Sequence, residues 1–321
     1  MRAFRVWRTI RTCPCTVGPE LRILLTGGSG QVGTEVRRRA GELDLWAPGR
    51  QELDLARPHT LRAALDERAP RLILSVGAYT AVDRAEDEPD LAYRVNGQAV
   101  AVLAGYARDR QIPLIHVSTD YVFDGDLGRP CTEDDSPNPG TVYGASKLAG
   151  EQAAASVAQH LILRIGWVFS AHGQNFVRSM LRLGAERETL RVVADQTGGP
   201  TWAGDVATAL IAAVYRIRAG QSLPVGVRHL ASTPHLNWHA FACEILQRAH
   251  RRGALARLPR IEAIGSADYP TRARRPRNTA LATLQGAEQG ADPQGLPARF
   301  DWRRGLDLVL DELACACTPA G

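Results

Sequence analysis

Lysine is almost absent from this chain of 321 residues: of its 39 basic residues, Lys147 is the lone lysine and all the others are arginine. Long apolar runs are missing too. No stretch nears the ~18 uninterrupted apolar residues of a membrane span. The first 19 residues lack the apolar centre that a secretory signal needs. Both absences argue against export and membranes and for the cytoplasm. Cysteine is scarce, with six in all. Cys13 and Cys15, like Cys315 and Cys317, have a single residue between them, whereas structural zinc sites place two to four residues between paired cysteines. Neither pair reads as a metal or disulfide site. Excess positive charge is confined to one end. Of the net +5, Arg2, Arg5, Arg8 and Arg11 supply +4 before the first acid, Glu20. The nearly neutral remainder argues against a nucleic-acid binder, which carries a basic face.

What is present is an ordinary globular composition, 45% hydrophobic and 23% charged. Short aliphatic runs at 21–26, 43–47, 71–76, 113–118 and 160–165 read as buried strands. Helical stretches at 31–40, 58–68, 89–110 and 142–159 separate them, and Leu53 and Leu55 flank Asp54 where a further strand would end. This alternation predicts an α/β fold: a Rossmann-like, doubly wound parallel sheet with a smaller C-terminal substrate-binding lobe. The expected organisation is a basic extension over 1–19, a dinucleotide-binding domain over 20–170, and a mixed region over 171–315 that completes the sheet and forms the lobe. Within that region the pattern predicts helices at 175–185, 205–218 and 302–314 and a strand at 190–193. An arginine- and proline-bearing segment at 255–280 and a flexible loop at 285–299 complete it. His235 and His239 stand four apart without the glutamate of a zinc protease, and read as a helix start.

Thr26-Gly27-Gly28-Ser29-Gly30-Gln31-Val32-Gly33 joins the first strand to the first helix. Gly27 permits a tight turn, Gly30 lets backbone approach a pyrophosphate, and Gly33 lets helix and strand pack closely. The helix N-terminus, at Gln31 and Val32, offers free N–H groups to phosphates. A site for NAD carries an acid about 20 residues on, yet the second strand ends Ala47-Pro48-Gly49-Arg50. Arg50 suits a 2′-phosphate and tilts the reading to NADPH over NADH. Asp54 and Leu55 suit the adenine edge.

Tyr143 and Lys147 lie four apart and share a helix face. A tyrosine titrates near ~10. A nearby ammonium favours the phenolate and moves it toward neutrality. A compact ammonium also grips ribose hydroxyls, a reason for lysine here and not arginine. Upstream, Thr119 and Asp120 sit where the 113–118 strand ends. Thr119 can hydrogen-bond a substrate oxygen and Asp120 a sugar hydroxyl.

Together the glycine loop, Ser118-Thr119-Asp120 and Tyr143-x-x-x-Lys147 resemble the extended short-chain dehydrogenase/reductases, which act on nucleotide sugars. The finer text is similar to the dTDP-4-dehydrorhamnose reductase family. Matching stretches run in order from residue 21 to about 315, among them 80–86, 118–123, 142–151, 166–169, 175–183, 195–201 and 273–276. The resemblance implies hydride transfer from NADPH or NADH to carbon 4 of dTDP-4-dehydro-6-deoxy-L-mannose, yielding dTDP-L-rhamnose for a cell-wall polysaccharide or O antigen. It implies Tyr143 as proton donor, Lys147 tuning it, Thr119 polarising the keto oxygen and Asn96 supporting a proton relay. Trp167 and Asp120 would meet the sugar. Ala78, Tyr79 and Thr80 would line the cofactor, and Asn175, Gly199 and Arg275 would reach the diphosphate.

There are departures. Tyr79 stands where the family pattern carries histidine. Some members bind Mg²⁺ between subunits through acids. Glu35 and Glu312 fit that pattern, but Gly204, beside Asp205, replaces a third glutamate. Mg²⁺ and the choice between monomer and homodimer therefore stay open. Two other readings remain: an epimerase or dehydratase of nucleotide sugars, and a non-catalytic regulatory subunit keeping the fold, as the beta subunit of methionine adenosyltransferase does.

Overall fold

A computed structural model describes residues 21–282, 297 and 299–317. The N-terminal extension and nearly all of the 285–299 loop lie outside the described residues. The first half runs β1 (Ile23–Leu25), α1 (Gln31–Arg39), β2 (Leu45–Trp46), α2 (Pro58–Arg68), β3 (Leu72–Ser75), α3 (Val82–Asp87), α4 (Pro89–Tyr93), a π turn (Arg94–Gln98), α5 (Ala99–Arg110), β4 (Leu114–Thr119), α6 (Val142–Ala154) and β5 (His160–Ile165). The second half runs β6 (Val168–Phe169), α7 (Phe176–Glu186), β7 (Thr189–Val193), β8 (Thr197–Gly198), β9 (Thr201–Trp202), α8 (Ala203–Arg218), β10 (Gly226–His229), β11 (Ala231–Thr233), β12 (Leu236–Asn237), α9 (Trp238–Arg251), β13 (Arg260–Ile264), β14 (Arg299–Asp301) and α10 (Trp302–Cys317).

The main sheet has six strands in the order β10-β5-β4-β3-β1-β2, and every pairing in it is parallel. The chain steps outward from β1 to β2, then crosses back to lay β3 on the other side of β1. Strand order therefore reverses between β1 and β3, the crevice where such sheets bind ligands. Alternation within β1 divides the core. Ile23 and Leu25 face α1 and α8, packing with Val36, Val206 and Leu210. Leu24 faces α2 and α5, packing with Leu61, Leu65 and Leu103. Full burial of each such leucine contributes about 2–3 kcal/mol. A separate core joins α7, α9, α10 and β7 through Val177, Leu190, Phe241, Ile245, Trp302 and Leu306. The parallel pair β7–β13 lies on its edge.

Three elements differ from the sequence pattern. No strand forms at 53–55, because Asp54 Oδ1 accepts from Ala56 N at 3.0 Å and this local turn competes with extended backbone. The helix expected over 89–110 is interrupted by the π turn at Arg94–Gln98. The helix expected over 142–159 stops at Ala154. His235 and His239 do not start a helix together: Asn237 caps α9, His239 lies in its first turn, and His235 precedes it. Their ring nitrogens meet backbone carbonyls of Leu281 and Ile261 at 3.0 and 3.4 Å.

Below the sheet, Arg164 of β5 donates twice to Glu151 of α6, at 2.9 and 2.7 Å, with both side chains buried. Removing one partner leaves an uncompensated charge. Glu151→Ala is expected to cost ~3–5 kcal/mol of unfolding free energy in a urea titration. A loss below ~1 kcal/mol would mean that water reaches Arg164.

Candidate active site

The crevice between β1 and β3 is held by backbone contact. Thr26 Oγ1 accepts from Val76 N and Gly77 N, both at 3.0 Å, tying the loops after the two strands together. Gly27 has φ +69, and a Cβ there would lie 2.6 Å from Gly77 Cα. Only glycine fits both conditions. A Cβ at Gly33 would collide with the Gly27 carbonyl, so the helix can start close under the loop. At Gly30, by contrast, a Cβ would meet only the Gly27 oxygen, at 3.3 Å. Gly30 caps α1 without a side-chain hydrogen bond, so the first N–H groups of α1 point free from the crevice floor.

Other expected cofactor residues divide into those near the crevice and those spent elsewhere. Leu55 reaches it: a Cβ at Gly77 would come within 2.7 Å of Leu55 Cδ1. Arg50 stands exposed beyond β2, while Ala78 is half-buried and Thr80 exposed after β3. Asp54 is engaged in its own turn. The Gln31 side chain is occupied as well. Its Oε1 accepts from Ser170 Oγ at 2.9 Å and Asn175 Nδ2 at 3.0 Å, pinning the glycine loop to the segment after β6. Tyr79, in the position expected to be histidine, donates its hydroxyl to Glu88 at 2.5 Å.

The start of α6 is fixed from two sides. Thr141 Oγ1 accepts from Gly144 N at 3.0 Å, and Glu86 Oε1 accepts from Val142 N at 2.9 Å. Tyr143 in that first turn is buried and stands edge-on to Tyr121, with ring centroids 5.7 Å apart. Its hydroxyl faces Thr119 at the end of β4. Thr119 donates to Asp120 Oδ1 at 3.0 Å. The structure thus brings Thr119, Asp120 and Tyr143 together as buried neighbours. Lys147, one turn further on, is buried too and donates to the Val117 carbonyl at 2.7 Å.

Several expectations need correction. The Tyr143 phenol is not drawn toward neutrality. Burial raises its pKa, and the Lys147 ammonium is turned to Val117. Burial in turn lowers Lys147 to about 8, opposed by Glu151. Asn96, in the π turn, has both side-chain polar atoms engaged. It clamps Tyr79 through N–H and C=O at 2.8 and 3.0 Å and donates to Ser146 Oγ at 2.9 Å. Asp120 faces inward against Gly166, where a Cβ would meet Oδ2 at 2.6 Å, and burial raises its carboxyl to about 7. Trp167, at φ +42, stacks on Trp238 with centroids 3.4 Å apart. Asn175 caps α7 by accepting from Arg178 N at 3.2 Å. Its amide N–H groups go to Gln31 and to the Ser170 and His172 carbonyls. Gly199 packs against the Ser232 carbonyl, at 2.6 Å from its would-be Cβ. Arg275 pairs with Asp83 at 2.7 Å and approaches the Tyr121 hydroxyl at 3.5 Å.

Four residues of the site escaped sequence reasoning. Thr279 lies beside Asp120 and accepts from Trp167 Nε1 at 3.2 Å. Trp238 and Glu86 are reached only through tertiary packing. His116, whose Nε2 lies 3.3 Å from Lys147 Nζ, did leave a signal: it interrupts an aliphatic strand three residues before Thr119.

Glu35 and Glu312 do converge, with His172, to within 4.8 Å, but an arginine stands among them. Arg38 Nη1 lies 2.8 Å from Glu312 Oε1, 2.8 Å from His172 Nε2 and 3.4 Å from Glu35 Oε1. Arg39 pairs with Glu35 as well. At the position of the third acid, a Cβ on Gly204 would lie inside contact distance of the Trp202 ring, over which Arg39 sits at 5.2 Å. Guanidinium charge fills the place of a divalent cation, and these residues do not fit a Mg²⁺ site. Asp205 is buried, which raises it to about 7. Cys131 and Cys243 are free thiols. Cys13 and Cys15 lie outside the described residues.

A parallel sheet reversing at a glycine loop, beside a helix carrying Tyr143 and Lys147, defines a dinucleotide-binding enzyme fold of the short-chain dehydrogenase/reductase type. The family model described as RmlD substrate binding domain matches residues 21–315. A dTDP-4-dehydrorhamnose reductase of Burkholderia thailandensis is 40% identical over 305 residues, covering 91% of this chain and 99% of that protein. The reductase of Escherichia coli K12 is 36% identical, covering 91% and 98%. Among solved structures, a dTDP-4-dehydrorhamnose reductase from Bacillus anthracis in complex with NADP superposes with a TM-score of 0.81 at 29% identity, covering 92% and 100%. The chain belongs to the dTDP-4-dehydrorhamnose reductase family.

The buried carboxyl of Asp120 makes a pH-dependent prediction. With its pKa at about 7 in the fold and ~3.9 when unfolded, the native state holds an extra proton between those values. Stability is therefore lost as pH rises through that window. Asp120→Asn removes the loss. Its melting temperature relative to wild type is expected to climb between pH 4 and pH 8. A gap independent of pH would show that Asp120 is ionised throughout.

Proposed function

We propose that this chain reduces the 4-keto group of dTDP-4-dehydro-6-deoxy-L-mannose, giving dTDP-L-rhamnose. The observation that carries the reading is the placement of buried Tyr143 beside Thr119 at the end of β4, next to the crevice of the glycine loop. A reduced nicotinamide, when bound there, supplies the hydride. Thr119 and Tyr143 direct their hydroxyls at the keto oxygen. Tyr143 gives its proton to that oxygen as the carbonyl becomes a secondary alcohol. Its raised pKa suits a donor, since the phenol stays protonated until a more basic alkoxide develops. Lys147 holds the ribose hydroxyls with the N–H not used by Val117 and His116. Its pKa of about 8 keeps it an ammonium below that pH.

The free N–H groups at the start of α1 suit the pyrophosphate, and exposed Arg50 favours NADPH over NADH. Residues 20–170 hold the dinucleotide. Residues 171–315 complete the sheet and form the sugar-nucleotide lobe, where the Trp167–Trp238 stack offers an aromatic wall and Arg275 a cation for phosphate. Asn96 acts by clamping the loop after β3, not by moving a proton. The free thiols of Cys131 and Cys243 suit a reducing compartment, the cytoplasm. The named relatives favour the reductase reading over epimerase or regulatory ones. A UDP-glucose 4-epimerase of Thermus thermophilus, at 20% identity and TM-score 0.73, shares the fold alone.

Following reduced-cofactor absorbance tests this. Oxidation of NADPH is expected to need dTDP-4-dehydrorhamnose, and Tyr143→Phe is expected to bind cofactor normally but turn over roughly 10²-fold more slowly or worse. Absence of substrate-dependent oxidation with both NADPH and NADH would sink the reductase reading. Since Arg38 and Arg39 together neutralise Glu35 and Glu312, neither EDTA nor added Mg²⁺ is expected to change turnover, melting temperature or sedimentation. A Mg²⁺-dependent dimer would overturn that part.

A further inference from the structure

Lys147 shares its buried place with a second titratable group. His116 of β4 is fully buried between β3 and α6. Ser75 stands opposite it in the β3–β4 register, with Ser75 Oγ 3.1 Å from His116 Nδ1. On the other side Nε2 lies 3.3 Å from Lys147 Nζ. A Cβ at Gly150 of α6 would come within 3.2 Å of the same nitrogen, so the helix closes over the ring. Burial and the ammonium hold the imidazole pKa well below its ordinary value. The ring is neutral, with one N–H and one lone pair. An ammonium only donates. Nε2 therefore carries the lone pair, and the Nδ1–H faces Ser75.

We propose that His116 is a positioning residue for the reaction: its Nε2 lone pair, with the Val117 carbonyl, anchors the Lys147 ammonium one helical turn after Tyr143. The proposal rests on the reading of Lys147 given above. No second amide performs this task, because Asn96 is committed to Tyr79 and Ser146. The other ionisable neighbours of Lys147 are Tyr143, one turn earlier on α6, and Glu151, one turn later and already paired with Arg164 of β5. From β3 comes uncharged Ser75, and from the π turn uncharged Asn96.

Removing an acceptor from a buried ammonium disfavours its charged form, so the Lys147 titration should move to lower pH. Because Lys147 is the lone lysine, ε-¹³C-lysine labelling of the full chain gives one NMR resonance, which reads this titration without any activity assay. His116→Phe removes the acceptor. His116→Asn keeps a polar group near Ser75 but is too short to reach Nζ. His116→Gln places an amide oxygen where Nε2 stood. The expected midpoint is near 8 in wild type. It should fall by about half a unit or more in the Phe and Asn variants and return in the Gln variant. The alkaline limb of the pH–rate profile should follow the same order, with kcat roughly tenfold down in Asn and Phe. An unchanged midpoint in folded Asn and Gln variants overturns the proposal, as does equal damage in both. If Phe fails to fold, the Asn/Gln pair decides. An inactive wild type would defeat the reductase reading, while the lysine resonance would still test the anchor.

Discussion

A single ammonium carried into the interior at the end of β4 constrains much of what surrounds it. Taking such an ion out of water costs several kcal/mol unless acceptors meet it. Val117 offers a carbonyl and His116 a lone pair, at 2.7 and 3.3 Å. The neutrality of His116 is therefore required as well as permitted, since an imidazolium there would repel Lys147. Glu151 adds favourable charge one turn away, and Arg164 keeps that carboxylate from being an orphan. Gly150 lets α6 come down far enough for the contacts to form, where any Cβ would run into the Asn96 carbonyl. Lysine meets these demands as a compact donor. The forked guanidinium that this chain uses at every other basic position would not fit the same two acceptors.

The same network explains why Tyr143 is held so firmly. Its helix begins under two caps, one local from Thr141 and one from Glu86 in α3. Asp83, three residues earlier, pairs with Arg275 and accepts from Ala273 N at 3.1 Å. One short helix thus fixes both the start of α6 and the segment around Ala273–Arg275. The π turn before α5 belongs to this arrangement. It lets Asn96 direct its amide at the loop after β3 and at Ser146, tying the loop that carries Tyr79 to the helix that carries Tyr143.

Sequence reading reached as far as local chemistry extends. The glycine loop, the parallel alternation and the Tyr143–Lys147 pair depend on spacing within one element or one turn, and the fold places them as a switch-point site. What stayed hidden depends on contacts across the chain. Nothing near Asn175 announces that its amide will be used up by Gln31 and two carbonyls. Nothing near Trp167 announces a partner 71 positions away at Trp238. The misread strand at 53–55 failed for a local reason, an Asp54 turn stronger than the apolar alternation beside it. Direction was the harder error at Tyr143. Proximity in sequence suggested that Lys147 would lower the phenol, but burial outweighs a charge that points elsewhere.

The acidic cluster at α1 shows the same contest between composition and position. Two carboxylates converge from α1 and α10, which by charge alone invites a cation. In a chain where nearly every cation is arginine, the cation is supplied from within. Arg38 reaches Glu312, 274 positions away, and fastens the C-terminal helix to the first helix of the dinucleotide fold. Trp202 settles against Gly204 and Gly305 under Arg39 and closes the position of a third acid. Arginine and lysine have thereby divided two tasks according to their shapes. The broad fork serves an exposed clasp with several acceptors, and the one compact ammonium serves a buried pocket with two.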